Sequence, residues 1–185
     1  AHRLGGQLHL AAAPPGREEF GQLVHDMEQQ IAAAKIPVIL NRSVDKALLA
    51  EQKPDAVIAA TGARPIAPPI PGADQTHVVD AWDVLSGGAH VGESVAIIGG
   101  GAVGVETALY LAEQGTIAPE TLKFLLVNTA EPLETLVELA TTGSRRIRII
   151  EMQDRVGKEI GKSTKWGMLQ DLTRFKVDTI TAATV

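Results

Sequence analysis

Gly99, Gly101 and Gly104 satisfy GxGxxG within VAIIGGGAVGVETALYLAEQG, between an apolar run and a helical pattern, and the chemistry this spacing allows is the seating of a diphosphate. Gly99 permits the tight turn. Gly101 has no Cβ and lets the backbone approach a pyrophosphate, while Gly104 lets the helix pack closely on the sheet. The N–H groups that open the helix, at Ala102 and Val103, add their partial positive charge. A bare GxGxxG would only describe a tight βα connection; a strand directly before it and a helix directly after it select nucleotide binding.

A dinucleotide also needs an acceptor for its adenosine ribose hydroxyls. A carboxylate at the end of the next strand supplies one and repels the additional phosphate of NADP. Glu151 closes the apolar run Arg146 to Ile150 and fits that role, although the fingerprint expects its acid about 20 residues after the glycines and the segment 116–145 intervenes. The alternative takes Phe124 to Val127 as the second strand and places Asn128 at the ribose. Glu151 is preferred, because charge-assisted hydrogen bonds are stronger and discriminate better. The cofactor is therefore read as NAD(H), with NADH favoured over NADPH. Arg155 lies close enough in sequence to hold a 2′-phosphate, but reads as a solvated surface charge. VGKEIGKST ends like a P-loop, yet the first glycine of that motif would fall on Val156, with Gly157 one place late, which argues against ATP or GTP.

The remaining composition narrows the chemistry. With no cysteine, there are no disulfides, thiolate metal sites, iron–sulfur ligands or redox dithiols in these 185 residues, so electron chemistry requires a bound cofactor. The five histidines, at 2, 9, 25, 77 and 90, show no metal-ligand spacing, and no protein-ligated metal is expected. A net charge of −5 without a basic run argues against nucleic acid, and no apolar stretch is long enough for a membrane span. The chain reads as a soluble, cytoplasmic α/β protein. Its apolar fraction of 45% supports a core, and with only 3% aromatics that core is aliphatic, as in buried parallel strands covered by helices.

The elements that must position these residues follow from periodicity. Helical spacing runs from Arg17 to Lys35, and the apolar runs Val38–Leu40 and Ala56–Ala60 read as strands, the second ending in Thr61 and Gly62. A short helix is expected around Ala47–Glu51. Pro65, Pro68, Pro69 and Pro71 mark an extended connector, and Asp80 caps a helix through Leu85. Beyond a boundary near residue 90, the pattern predicts strand Ser94–Ile98, helix Ala102–Gln114 ended by Gly115, helix Pro132–Ala140, strand Arg146–Ile150, helix Ser163–Arg174 and strand Val177–Ile180.

Three motifs in order, LGGQLHLAAAPPGREEF, AVIAATGARPIAPPIPG and the glycine segment above, give the chain a family resemblance. It resembles the C-terminal half of NADH:flavin oxidoreductases similar to 2,4-dienoyl-CoA reductase, 2-enoate reductase and trimethylamine dehydrogenase. RIIEMQDRVGKEIGKSTKW looks like the long-insert branch. The resemblance implies an α/β flavoprotein of the type with two dinucleotide-binding domains. Residues 1–90 would be a partial FAD-binding domain lacking its first βαβ unit, and 91–185 a Rossmann-like, parallel-sheet NAD(H)-binding domain truncated at its C-terminal end. It places Gly5, Gly6 and Gln7 after the FAD-binding strand, and Thr61 and Gly62 beside the flavin nucleotide. Read without it, those residues are simple turns.

By the same resemblance, the parent protein would carry an upstream barrel similar to old yellow enzyme, with FMN, an iron–sulfur cluster and the substrate site, and no catalytic residue would lie here. The chain alone is then expected to be an inactive fragment that does not retain FAD and self-associates through cut edges. The function implied is transfer of hydride from NADH to FAD and onward reduction of an enoate or dienoyl-type substrate. The alternatives are a non-catalytic dinucleotide sensor or scaffold, since a fold does not establish activity, and a glutamate-synthase-like electron-transfer subunit.

Overall fold

The computed structural model describes residues 1–185. Its amino-terminal part is helical and loosely packed: α1 (Leu8–Ala11), α2 (Glu19–Ala33), α3 (Lys46–Gln52) and α4 (Ala81–Leu85) occur before any strand. Asp45 and Asp80 accept main-chain N–H bonds from Leu48 and Trp82 at 2.8 and 2.7 Å, so α3 and α4 start where short acidic side chains satisfy otherwise unpaired donors. The helix α1 was not foreseen, because four residues after a glycine pair carry too little periodicity to detect.

Two sequence expectations are overturned here. Neither Val38–Leu40 nor Ala56–Ala60 is a strand; both lack regular structure and are exposed, with Ile58 at 91%. An apolar run becomes a strand only when a neighbour completes its hydrogen bonds, and no strand lies within residues 1–90 to do so.

A parallel sheet follows, made of β1 (Ser94–Ile98), β2 (Arg146–Ile150) and β3 (Asp178–Ile180) in the order β1-β2-β3. Between β1 and β2 lie α5 (Ala102–Glu113), α6 (Pro119–Val127) and α7 (Leu133–Thr141); α8 (Lys162–Arg174) joins β2 to β3. The helices α5 and α8 pack on each other, and α5 covers β1 and β2. Ile97, Ile147 and Ile149 point into this layer with Val105, Ala108 and Leu172. Each of the Ile, Val and Leu side chains contributes roughly 1.5–3 kcal/mol by leaving water. The strands β1 and β2 alternate more and less buried residues and β3 is exposed throughout, so the expectation of buried strands is corrected: Arg146 and Arg148 face solvent on the other side, where Arg148 pairs with Asp178 at 2.8 Å.

Phe124–Val127 belongs to a helix, which removes the alternative second strand. Pro119 opens α6 at a position where its missing N–H costs nothing, and Asn128 ends the helix with its Nδ2 donating to the Phe124 carbonyl at 2.8 Å. The excursion from α5 to β2 is pinched at its neck. Ser144 N donates to Gln114 O at 2.8 Å, and Arg145 donates to the Gln114 side chain at 2.7 Å. Close approach there requires glycine twice, since a Cβ on Gly143 would lie 2.1 Å from the Ala112 carbonyl and one on Gly115 2.8 Å from Ser144 Cβ. The insertion therefore leaves and returns at one point, and β2 pairs with β1 as though it were absent.

Arg17 ties the amino-terminal part to this layer through a 2.6 Å ion pair with Glu106 on α5. Beside it is a cavity of about 250 Å3 that Pro14, Pro15, Glu113 and Asp171 help to line. Burial raises the Glu113 carboxyl above its ordinary value, and the charges of Glu18 and Asp171 raise it further. A carboxyl raised in the folded state favours folding when protonated and costs stability once ionised. Glu113→Gln is therefore expected to raise the thermal unfolding midpoint at about pH 7 and to leave it unchanged at about pH 3, below the carboxylate range. Scanning calorimetry at the two pH values checks this.

Candidate functional site

The site forms where β1 ends. Gly99 adopts φ +98°, a conformation that L side chains rarely take, and donates its N–H to Ile150 O at 2.8 Å, which carries the sheet ladder into the turn. A Cβ on Gly104 would lie 2.0 Å from the Gly99 carbonyl oxygen, so α5 can seat this close to the strand only with glycine there. Gly101 has extended ψ and caps α5 without a side-chain bond. On the side where its Cβ would project, the nearest atom is a Glu159 carboxylate oxygen at 3.5 Å. The helix start, at Ala102 and Val103, has no carbonyl one turn back to accept its N–H groups.

Glu151, the residue after β2, is 8% exposed and lies against this turn. One carboxylate oxygen accepts the Gly100 N–H at 2.6 Å and the other accepts the Gln153 N–H at 2.8 Å. Two residues 51 apart in sequence are thereby joined at the mouth of the motif. A carboxylate has about four lone-pair sites, so two of them remain available to hydroxyl donors. Glu151 and Gly101 share a recess of about 80 Å3, lined otherwise by Gly100, Gln153, Arg155, Lys158 and Glu159. Arg155, read from sequence as a plain surface charge, belongs to this lining.

Residues 152–161 form a strap across the recess. Val156 and Ile160 anchor it in the core at 7% and 8% exposure, and Gly157 donates its N–H to Gly100 O at 2.7 Å. The apparent P-loop ending is accounted for here: Gly161 precedes α8, and Val156, where that motif needs glycine, packs in the core cluster. Gly100, Gln153, Lys158 and Glu159 were not singled out from sequence. The usable signal was their position beside a glycine turn or just after a strand-ending acid.

The amino-terminal candidates gather separately. Gln7 Nε2 donates to Ala63 O at 2.9 Å, and a Cβ on Gly62 would lie 3.0 Å from that nitrogen, so Gln7 and the Thr61–Gly62 turn meet. Gly5 has a packing reason for being glycine, because a Cβ there would lie 2.7 Å from Val24 Cγ1; Gly6 opens into free space. None of these residues lines the recess at the glycine turn.

The model of the family described as pyridine nucleotide-disulphide oxidoreductase matches residues 8–185. The chain belongs to this family. Among curated relatives, a metal reductase of Desulforamulus reducens is 44% identical over 98% of the chain, and an NADH oxidase of Thermoanaerobacter brockii is 40% identical over 72% of it. A cinnamate reductase of Clostridium sporogenes is 39% identical over 60%. The chain spans 28%, 21% and 16% of those proteins.

A solved 2-naphthoyl-CoA reductase complex shares the fold with a TM-score of 0.76, at 19% identity, over 97% of this chain and 23% of that one. The pyridine nucleotide-disulphide oxidoreductase assignment agrees with the resemblance to NADH:flavin oxidoreductases and with a Rossmann-like fold. It makes the chain a flavin- and pyridine-nucleotide-dependent oxidoreductase domain. The disulphide chemistry in the family description has no thiol to work with in these residues. No helix is long and apolar enough to cross a membrane.

The turn geometry has a direct consequence for stability. Gly104→Ala is expected to destabilise the fold by about 1–3 kcal/mol, the range for forcing an extra methyl into packed space. Chemical denaturation of the two proteins measures the difference.

Proposed function

We propose that the chain binds NADH at the glycine turn and delivers its hydride to FAD, in a larger protein that reduces an unsaturated enoate or dienoyl-type substrate through an FMN and iron–sulfur barrel. Support for the nucleotide half comes mainly from one observation: the buried Glu151 carboxylate bonded to Gly100 beside Gly101, whose missing Cβ would meet only the end of the flexible Glu159 side chain. In this reading Gly101 admits the pyrophosphate against main-chain amides, and Ala102 and Val103 donate to its oxygens. Glu151 takes the ribose hydroxyls with its two remaining lone-pair sites and disfavours a 2′-phosphate.

For the flavin half, Gly6, with open space before it, and the Gln7–Gly62 pair are the residues that would lie along FAD. Bound FAD would accept two electrons and a proton as hydride from the nicotinamide, and the protein's part is to hold the two cofactors in register. The name of one relative, cinnamate reductase, favours reduction of a conjugated substrate over disulfide chemistry.

Two substitutions test the nucleotide site. Gly101→Val meets nothing closer to its Cβ than a flexible carboxylate at 3.5 Å, and Gly101 has φ −71°, so fold and melting temperature should be kept. NADH binding by titration calorimetry should fall beyond detection. Glu151→Gln retains an oxygen for the Gly100 N–H and removes the charge. NADH is expected to bind about tenfold more weakly, with NADPH losing less, the scale of one charge-assisted hydrogen bond. Unchanged binding in both variants would exclude the site.

A further inference from the structure

The strap carries a carboxylate that the proposed site does not use. Glu159 lies in the tight turn closed by the Ile160 N–H bond to Gly157 O at 3.2 Å. Its backbone is held in place, because Val156 and Ile160 on either side are buried and Gly157 is bonded to Gly100. Its Oε2 stands 3.5 Å from the point where a Gly101 Cβ would be, in the space that the missing side chain opens toward a diphosphate. Glu151 has both oxygens engaged by main-chain N–H groups; Glu159 has no such partner. Of the two cations in the lining, Lys158 leans toward Asp154 at 3.9 Å, which leaves Arg155 as the other positive group facing the recess.

We propose that Glu159 is an affinity-limiting residue: its carboxylate competes with the pyrophosphate for the space before Gly101, so that dinucleotide binds more weakly and leaves faster than the glycine turn alone would allow. This rests on the reading of the turn as a nucleotide site. The charge arithmetic supports it, since the recess is lined by two carboxylates, Glu151 and Glu159, and two cations, Arg155 and Lys158. Only one of these carboxylates has a hydroxyl-accepting role. Removing the Glu159 charge makes the lining one unit more positive toward an anion, and a redox domain that must exchange its nucleotide every turnover benefits from the faster release that the charge provides.

The test is titration of the full chain with ADP-ribose, which carries the diphosphate and ribose without the nicotinamide. Wild type, Glu159→Gln and Glu159→Asp are compared at low and at physiological salt, with adenosine as a probe lacking phosphate. Glu159→Gln should bind ADP-ribose about three- to tenfold more tightly at low salt, the scale of one partly screened charge pair, with a slower off-rate. The gain should shrink as salt rises. Glu159→Asp, which keeps the charge but draws it back from Gly101, should fall between wild type and Glu159→Gln, and adenosine should not distinguish the proteins. Binding of ADP-ribose that is equal or weaker in Glu159→Gln would overturn the proposal and leave the nucleotide site standing. Failure of wild type and variants alike to bind ADP-ribose would overturn both.

Discussion

The hydrogen bond from Gly100 N–H to the buried Glu151 carboxylate is the interaction on which the site depends. It joins the turn after the first strand to the end of the second, and it works only because several close approaches hold at once. Gly104 must lack a side chain for α5 to reach the Gly99 carbonyl, and Ile147 and Ile149 must fill the space between sheet and helix so that β2 ends level with that turn. A carboxylate held this far out of water is costly unless its lone pairs find donors. The two main-chain N–H groups supply them, and the same geometry leaves capacity for a ligand's hydroxyls.

The insertion between α5 and β2 shows how the fold tolerates added chain. Gly115 and Gly143 bring its two ends within contact of Gln114, so the helices α6 and α7 hang from a narrow neck and the register of β1 with β2 is untouched. Loop length costs little free energy when the ends are already together. This is how Glu151, 51 residues from Gly100 in sequence, comes to lie against the turn.

Legibility from sequence tracked how local the determining forces are. Ser94–Ile98 and Arg146–Ile150 were readable in their full extent because a β-branched run bounded by polar residues and glycine signals a strand without reference to partners. The glycine turn was readable from spacing alone. Val38–Leu40 and Ala56–Ala60 carried the same local signal and formed no strand, since a ladder needs a neighbour and none is present. Phe124–Val127 was ambiguous as an apolar run, and Pro119 with the turn of helix behind it decided the matter. The Gln7–Ala63 bond, the Arg17–Glu106 pair and the Glu159 approach to Gly101 each join distant positions, and no periodicity announces such contacts.

The central claim is that nucleotide phosphates meet main-chain amides at the start of α5, next to Glu151. Amide chemical shifts followed by NMR during an NADH titration test it most directly. The account predicts saturable shifts at Gly100, Gly101, Ala102 and Val103 and at Gln153, with the sheet's far end near Ser94 unmoved. Saturable shifts confined to other parts of the chain, with those five amides silent, would contradict it.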